Sequence, residues 1–332
     1  MTQLHVLDLP PLYTHPSSSQ ILDVLEKLVL EPASFAFSPQ ALAPVSTPSI
    51  DEGGILRYLT SIISSSLDWI EDDSIKEEIW EKASQRIAER AGRSAAPSLT
   101  RTFTLTIDAK PAMIHLHEPT LTSDNLGHKT WSSSYLLATE LGNLAHHLPV
   151  SGDHPCKVLE LGSGTGLFGI AFAAQFRHSQ VLLTDLPDIL PNLARNVNAN
   201  AELVTVRHSS IIAATLDWND APELYKALVP SSTAYDVVLA ADPIYSPSHP
   251  ELLTRAVAAH IARERHARVL LGLPLRDAYL PQVEHLWTLL QSIGLRVLEQ
   301  GEMDGFDDWL DGQGERVVVR VRWAVWAWRD EK

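Results

Sequence analysis

Val158-Leu159-Glu160-Leu161-Gly162-Ser163-Gly164-Thr165-Gly166 is the stretch that decides the fold. A short apolar run of strand character meets glycines at every second position, and an apolar helix follows to about Phe176. Glycine lets the backbone turn sharply and approach a ligand closely. The helix beyond offers unpaired N–H groups and a partial positive charge to an anionic group. Strand, glycine turn and helix in that order mark the crevice at the strand C-termini of an α/β sheet, where ligands bind.

Downstream the pattern repeats. Val181-Leu182-Leu183-Thr184 reads as a second strand and Ile189 to Asn198 as a helix. Val204-Thr205-Val206 reads as a weak third strand, and Tyr235 to Ala240 as a fourth, followed by a helix from Pro250 to Arg263. Arg268 to Leu273 is a fifth strand and Leu280 to Ile293 its helix. Apolar strands separated by amphipathic helices predict a parallel sheet covered on both faces. The end departs from this alternation. Leu295 to Gln300 and Val317 to Trp328 read as two strands with no helix between them, which predicts an antiparallel pair at the sheet edge.

Upstream, a helix starts at Ser132, with Leu136, Leu137, Leu141, Leu144 and Leu148 on its buried side. Thr100 to Ile107 alternates apolar and polar residues and predicts a hairpin with Met113 to Leu116. Before it, three helices are expected: one at Ile21 to Leu30 capped by Ser18 or Ser19, one over Ile55 to Ile70, and one over Ile75 to Ala91. Pro- and Ser-rich Glu31 to Ser49 reads as a loop, and Ala91 to Ser98 as a linker. The expected organisation is a helical region over 1–98, a hairpin and loop over 99–130, and a Rossmann-like catalytic domain over 131–332. The fold class is therefore α/β: a seven-stranded sheet with a terminal antiparallel pair, plus an N-terminal, mostly helical region.

The 332 residues, 45% hydrophobic and 20% charged, fit a folded globular chain. A net charge of −15 repels phosphate backbones and anionic lipid, so nucleic acid and membranes are poor partners, and a basic or lysine-bearing protein is a better one. Solubility alone would also explain that charge. The single cysteine, Cys156, excludes an internal disulfide and a cysteine-rich zinc site. The first residues lack the basic and apolar regions of a signal peptide, and no apolar run reaches the roughly 20 residues of a bilayer span. Cytoplasm, with the nucleus as an alternative, is the expected compartment.

Two chemistries compete at the glycine turn. Gly164-Thr165-Gly166-Leu167-Phe168-Gly169 matches the dinucleotide fingerprint, with Asp185 about 20 residues on. That would suit a NAD-linked oxidoreductase. Against it, the run begins at Gly162 on the strand end, Glu160 stands just before it facing a cationic ligand, and the terminal antiparallel pair fits a methyltransferase better.

The sequence resembles the class I, seven-β-strand S-adenosylmethionine-dependent methyltransferases, and within them the family 16 protein-lysine methyltransferases. Four segments carry the resemblance in order: Lys129-Thr130-Trp131-Ser132-Ser133-Ser134, Leu159 to Gly166, Leu216-Asp217-Trp218, and Asp242-Pro243-Ile244-Tyr245. The last matches the family's D-x-x-Y. The resemblance covers about Glu118 to Trp328. It implies S-adenosyl-L-methionine as cofactor and a protein substrate such as a translation factor or chaperone. Gly162, Gly164 and Gly166 would cradle the methionine portion, with Ser163 among them. Glu160 would hold its amino group, directly or through water. Asp185 would accept from the ribose hydroxyls, Asp217 and Trp218 would border the adenine, Trp131 would pack on the cofactor, and Ala241 would touch it from the fourth strand tip. Asp242 and Tyr245 would face the substrate amine. Taken singly, Asp185 also suits a helix cap, Trp131 and Trp218 core packing, and Asp242 a turn. A small-molecule N-methyltransferase and a non-catalytic binding module share the same fold.

Other features point to structure. His115 with His117, and His146 with His147, lack an evident third ligand, so no metal site is expected. Ser132-Ser133-Ser134 suits helix capping. Glu302, Asp304, Asp307, Asp308, Asp311 and Glu315 around Phe306 and Trp309 form an acidic loop. It is either a solvated hairpin or a docking lip for a basic substrate.

Overall fold

The computed structural model describes residues 9–29, 35, 52–90, 98–120, 126–150, 154–220, 234–310 and 316–329; for 52, 53, 126 and 308–310 it describes the backbone alone. The chain divides into two compact units, residues 1–33, 37–98 and 120–124, and residues 34–36, 99–119 and 125–332.

Among its described residues the first unit holds three α-helices, α1 (Ser18–Lys27), α2 (Glu52–Ser64) and α3 (Asp73–Arg90). Ile21, Leu25, Leu59, Ile62, Leu67 and Ile79 form its buried centre. The cap of α1 is Ser17, not Ser18 or Ser19. The Ser17 Oγ accepts the Gln20 N–H at 3.3 Å and Gln20 Oε1 accepts the Ser17 N–H at 2.9 Å. The extended backbone of Ser17, ψ 153°, makes that reciprocal box possible one residue earlier than expected. Helix α2 stops at Ser64, short of Ile70. Positions 91–97, read as a linker, lie outside the described residues, as does nearly all of the Glu31 to Ser49 loop.

The second unit opens with a hairpin, β1 (Leu99–Ile107) and β2 (Lys110–Glu118), paired from Leu99↔Glu118 to Ile107↔Lys110. Asp108 and Ala109 make the turn at φ 49° and 60°, the twist a two-residue hairpin demands. Seven strands follow: β3 (Cys156–Leu161), β4 (Ser179–Asp185), β5 (Ser210–Thr215), β6 (Val237–Ala241), β7 (Arg268–Pro274), β8 (Leu295–Leu310) and β9 (Arg316–Trp328). They lie in the order β5-β4-β3-β6-β7-β9-β8, parallel through β7, with β9 antiparallel to both β7 and β8. Chain order reverses between β3 and β6, which opens a crevice beyond their C-terminal ends.

Period-2 alternation divides the strands between two cores. Val158, Leu183, Leu239 and Leu270 face α4 (Ser132–Leu144), α5 (Leu167–Gln175) and α6 (Leu190–Ala199), together with the hairpin residues Phe103, Leu105, Ile114 and Leu116. Leu159, Leu182, Val238 and Leu271 face α8 (His249–His260) and α9 (Leu280–Ser292).

Two further expectations are corrected. Val204 and Thr205 belong to a short helix, α7 (Ala201–Thr205), and the third parallel strand is β5. Val204 is buried as a helix residue, whereas β5 is an edge strand whose Ile212 is 64% exposed, so its apolar content does not announce a buried strand. The acidic stretch from Glu302 is not a loop up to Leu310 but the continuation of β8. Antiparallel register sets Glu302 opposite Arg322 and Asp304 opposite Arg320, and cross-strand charge pairing makes an acidic strand stable there. Positions 311–315 lie outside the described residues.

Candidate active site

The crevice is built from loops at the strand tips. After β3, Gly162, Gly164 and Gly166 adopt φ of 69°, 55° and 90°, a region closed to most side chains. The path is also too tight for a side chain: a Cβ on Gly164 would lie 3.3 Å from the Gly127 carbonyl, and one on Gly166 2.8 Å from Leu193. Ser163 straps this loop to β4, accepting the Thr184 N–H at 3.0 Å on its hydroxyl and donating its own N–H to the Thr184 carbonyl at 3.0 Å.

Asp185 ends β4 and reaches back. Its Oδ2 accepts the Gly164 N–H at 2.7 Å and its Oδ1 the Leu186 N–H at 2.8 Å. Desolvation raises its pKa despite those two donors. Glu160 sits lower, 2% exposed, with Oε2 accepting the N–H of Gly169 in the first turn of α5 at 3.2 Å. Burial pushes its carboxyl up to about 8, with the Asp185 charge adding to the rise. Its carboxyl lies at the start of α5.

From β5, Asp217 caps the turn that follows by accepting the Asn219 N–H at 2.8 Å. The Trp218 indole lies against Gly162, where a Cβ would sit 3.3 Å from the ring. Ala241 is the half-buried last residue of β6. Asp242 follows at φ 55°, and its N–H continues the ladder to the Gly272 carbonyl at 2.8 Å. A non-glycine residue in this conformation stores strain of the kind found at functional sites. Tyr245 is 47% exposed and packs edge-on against His249 at 4.3 Å. Its hydroxyl is raised above the ordinary phenol value, first by desolvation, then by the charges of Asp185 and Asp242. His249 is pushed down by burial, and its Nδ1 lies 3.0 Å from the Pro243 carbonyl.

Two residues not singled out as site residues complete this end. Arg276, just after β7, lays its guanidinium across Asp242, Nη1 to Oδ1 at 3.3 Å and Nη2 to Oδ2 at 3.2 Å. It also stands 5.0 Å from the centre of the Trp131 ring and 3.7 Å from Asp307 Oδ2. Asp307, expected on an exposed acidic lip, is 1% exposed and accepts the Ser132 hydroxyl at 3.2 Å. Glu302 and Asp304 are paired with arginines, so of the lip's described members none is a free acidic anchor. The one sequence signal for Arg276 is its place after a buried strand tip; Asp307 is hidden in a run of acids.

Elsewhere, β8 brings Glu299 to the histidine pair at the end of α4. His147 Nε2 lies 2.6 Å and His146 Nε2 3.5 Å from the same carboxylate oxygen. This is the third side chain that the spacing of the histidines does not reveal.

A sheet in this order, with a glycine cradle after its central strand and an aspartate and tyrosine after the next, defines a class I methyltransferase architecture. Residues 109–279 match the family described as lysine methyltransferase. The chain is 35% identical to the protein-lysine N-methyltransferase EFM2 of Saccharomyces cerevisiae, over 77% of this chain and 62% of that protein. It is 32% identical to the protein-lysine N-methyltransferase rrg1 of Schizosaccharomyces pombe, over 96% of this chain and 97% of that one. A shorter match, 36% identical over 27% of this chain and 34% of the other, is to the EEF1A lysine methyltransferase 3 of Xenopus tropicalis. The chain belongs to the lysine methyltransferase family, and its cofactor is S-adenosyl-L-methionine. The oxidoreductase alternative is thereby set aside. Among the described residues no helix is long and apolar enough to cross a membrane.

Proposed function

We propose that this protein methylates the ε-amine of a lysine in a protein acceptor, such as a translation elongation factor or a chaperone. The observation that carries this reading is Asp242. Its strained backbone and nearly buried carboxyl stand at the tip of β6, beside Tyr245 and next to the glycine cradle's own strand. The names of the relatives, which specify protein lysines and in one case EEF1A, support the acceptor class.

The crevice suits the cofactor. Its glycine path runs at positive φ, which side chains rarely adopt, Asp185 offers carboxylate lone pairs at the tip of β4, and the Trp218 indole lies against Gly162. In this reading Gly162, Ser163, Gly164 and Gly166 hold the methionine portion and Glu160 supports them from beneath. Asp185 binds the ribose hydroxyls, Asp217 and Trp218 border the adenine, and Trp131 and Ala241 close the sides. When bound, S-adenosylmethionine supplies a methyl carbon on a cationic sulfur; the amine lone pair forms the N–C bond as the C–S electrons pass to sulfur.

The chain's own work is positioning. The Asp242 carboxylate accepts a hydrogen bond from the amine and stabilises the cation that develops on nitrogen. Tyr245, held as the neutral phenol by its raised pKa, orients the amine or passes on its proton. The test is transfer of labelled methyl from S-adenosylmethionine into a cell lysate, resolved by mass. Label in one protein band, mapped to lysine, is expected; label confined to small molecules would overturn the acceptor class.

A further inference from the structure

We propose that Arg276 is a positioning residue for the methyl acceptor, which clamps Asp242 and by its charge drives the proton off the incoming ε-ammonium. This rests on the reading that Asp242 faces the amine.

The geometry ties three elements to one guanidinium. Arg276 spans both oxygens of Asp242 at 3.3 and 3.2 Å. Asp307 from β8 stands 3.7 Å away and is itself bonded to Ser132 at the start of α4. The Trp131 ring backs the group at 5.0 Å. The side chains of Asp242 and Asp307 are 4% and 2% exposed, whereas that of Arg276 is 27% exposed. The cation is therefore the most solvent-exposed member of the group.

Free lysine, with a pKa of about 10.4, leaves only about one amine in 2,500 neutral at pH 7. A nearly buried carboxylate alone would hold the lysine as its ammonium, the form that cannot attack. With both oxygens engaged by a guanidinium, the same carboxylate keeps a lone pair for orientation but loses most of its pull on the proton. The guanidinium adds direct repulsion, and arginine suits this because it does not release its own proton. Among the described residues, the other titratable groups around Asp242 are Tyr245, whose phenol pKa is raised by desolvation and by the Asp185 and Asp242 charges, Asp185, Asp307, and His249, whose pKa burial lowers.

The test uses the full chain, labelled S-adenosylmethionine, and dialysed lysate of S. cerevisiae lacking its 35%-identical relative as acceptor. Initial rates are followed from pH 6.5 to 10 for wild type, Arg276→Gln and Arg276→Lys, with calorimetry of adenosylhomocysteine alongside. Arg276→Gln is expected to be slower by about 10- to 100-fold at pH 7, with unchanged or tighter half-saturation by lysate, and to recover about tenfold per pH unit. Arg276→Lys, which keeps the charge but loses the two-point clamp, is expected to fall between wild type and Arg276→Gln, and adenosylhomocysteine affinity to stay within about threefold in both variants. A Gln loss that is constant across pH, or that follows lost adenosylhomocysteine binding, would overturn the role of Arg276 alone. Wild type that labels no protein at any pH would overturn the acceptor reading, and this inference with it.

Discussion

The N–H of Gly164 donates to Oδ2 of Asp185 at 2.7 Å, joining the tip of one central strand to the tip of its neighbour. That carboxylate shapes the cradle, and in the proposed reading its remaining lone pairs also receive the ribose hydroxyls. Asp185→Ala removes both functions. A hydrogen bond to a charged group contributes about 1.5–3 kcal/mol, so adenosylhomocysteine is expected to bind about 10- to 100-fold more weakly by calorimetry. Affinity within twofold of wild type would show that Asp185 only braces the loop.

Asp242 occupies the left-handed region, so alanine there would confuse lost chemistry with added strain. Asparagine tolerates that conformation and keeps the shape. Asp242→Asn is expected to lose at least about 100-fold in turnover while binding adenosylhomocysteine normally and melting close to wild type. Full turnover would remove Asp242 from the reaction.

Most of this site is legible from residue order. Glycines on alternate positions after a buried strand, an aspartate after the next, and D-x-x-Y after the fourth all lie where a parallel sheet must place them. The misreadings share a physical cause. β5 is a half-exposed edge strand, so it lacks the apolar density that marks β3 or β6. The acidic strand β8 is held by arginines 16 to 20 residues away, a register invisible to local pattern. Arg276 and Asp307 meet only because β7 and β8 flank β9 in space.

Glu160 makes stability depend on pH. Its folded value of about 8 lies above its unfolded value of 4.5, so the folded state holds the proton more tightly. Its contribution is fully present below pH 4.5 and is lost as pH rises toward 8. Glu160→Gln keeps an acceptor for the Gly169 N–H without a charge to bury. The Tm of this variant should gain on wild type as pH rises from 5 to 8. A gap that stays constant over that range would mean that Glu160 does not titrate in the folded protein.

Asn192, Asn196 and Asn200 stand one turn apart on α6 and beyond its end, and together act as a strand for the open edge of β2. Asn200 Oδ1 accepts the His115 N–H at 2.9 Å and its Nδ2 donates to the His115 carbonyl at 2.8 Å. Asn196 does the same for His117 at 2.8 and 3.1 Å, and its Nδ2 also reaches the carbonyl of Thr165, inside the glycine loop, at 3.0 Å. Fully buried Asn196 therefore couples the hairpin to the cradle. Asn196→Ala would strand buried backbone groups on both sides, at a cost of about 2–4 kcal/mol. Because one of those groups belongs to the loop proposed to hold the cofactor, saturating adenosylhomocysteine should restore a larger part of the lost Tm than it adds to wild type. Equal thermal shifts in both proteins would show that the ladder only fastens the hairpin.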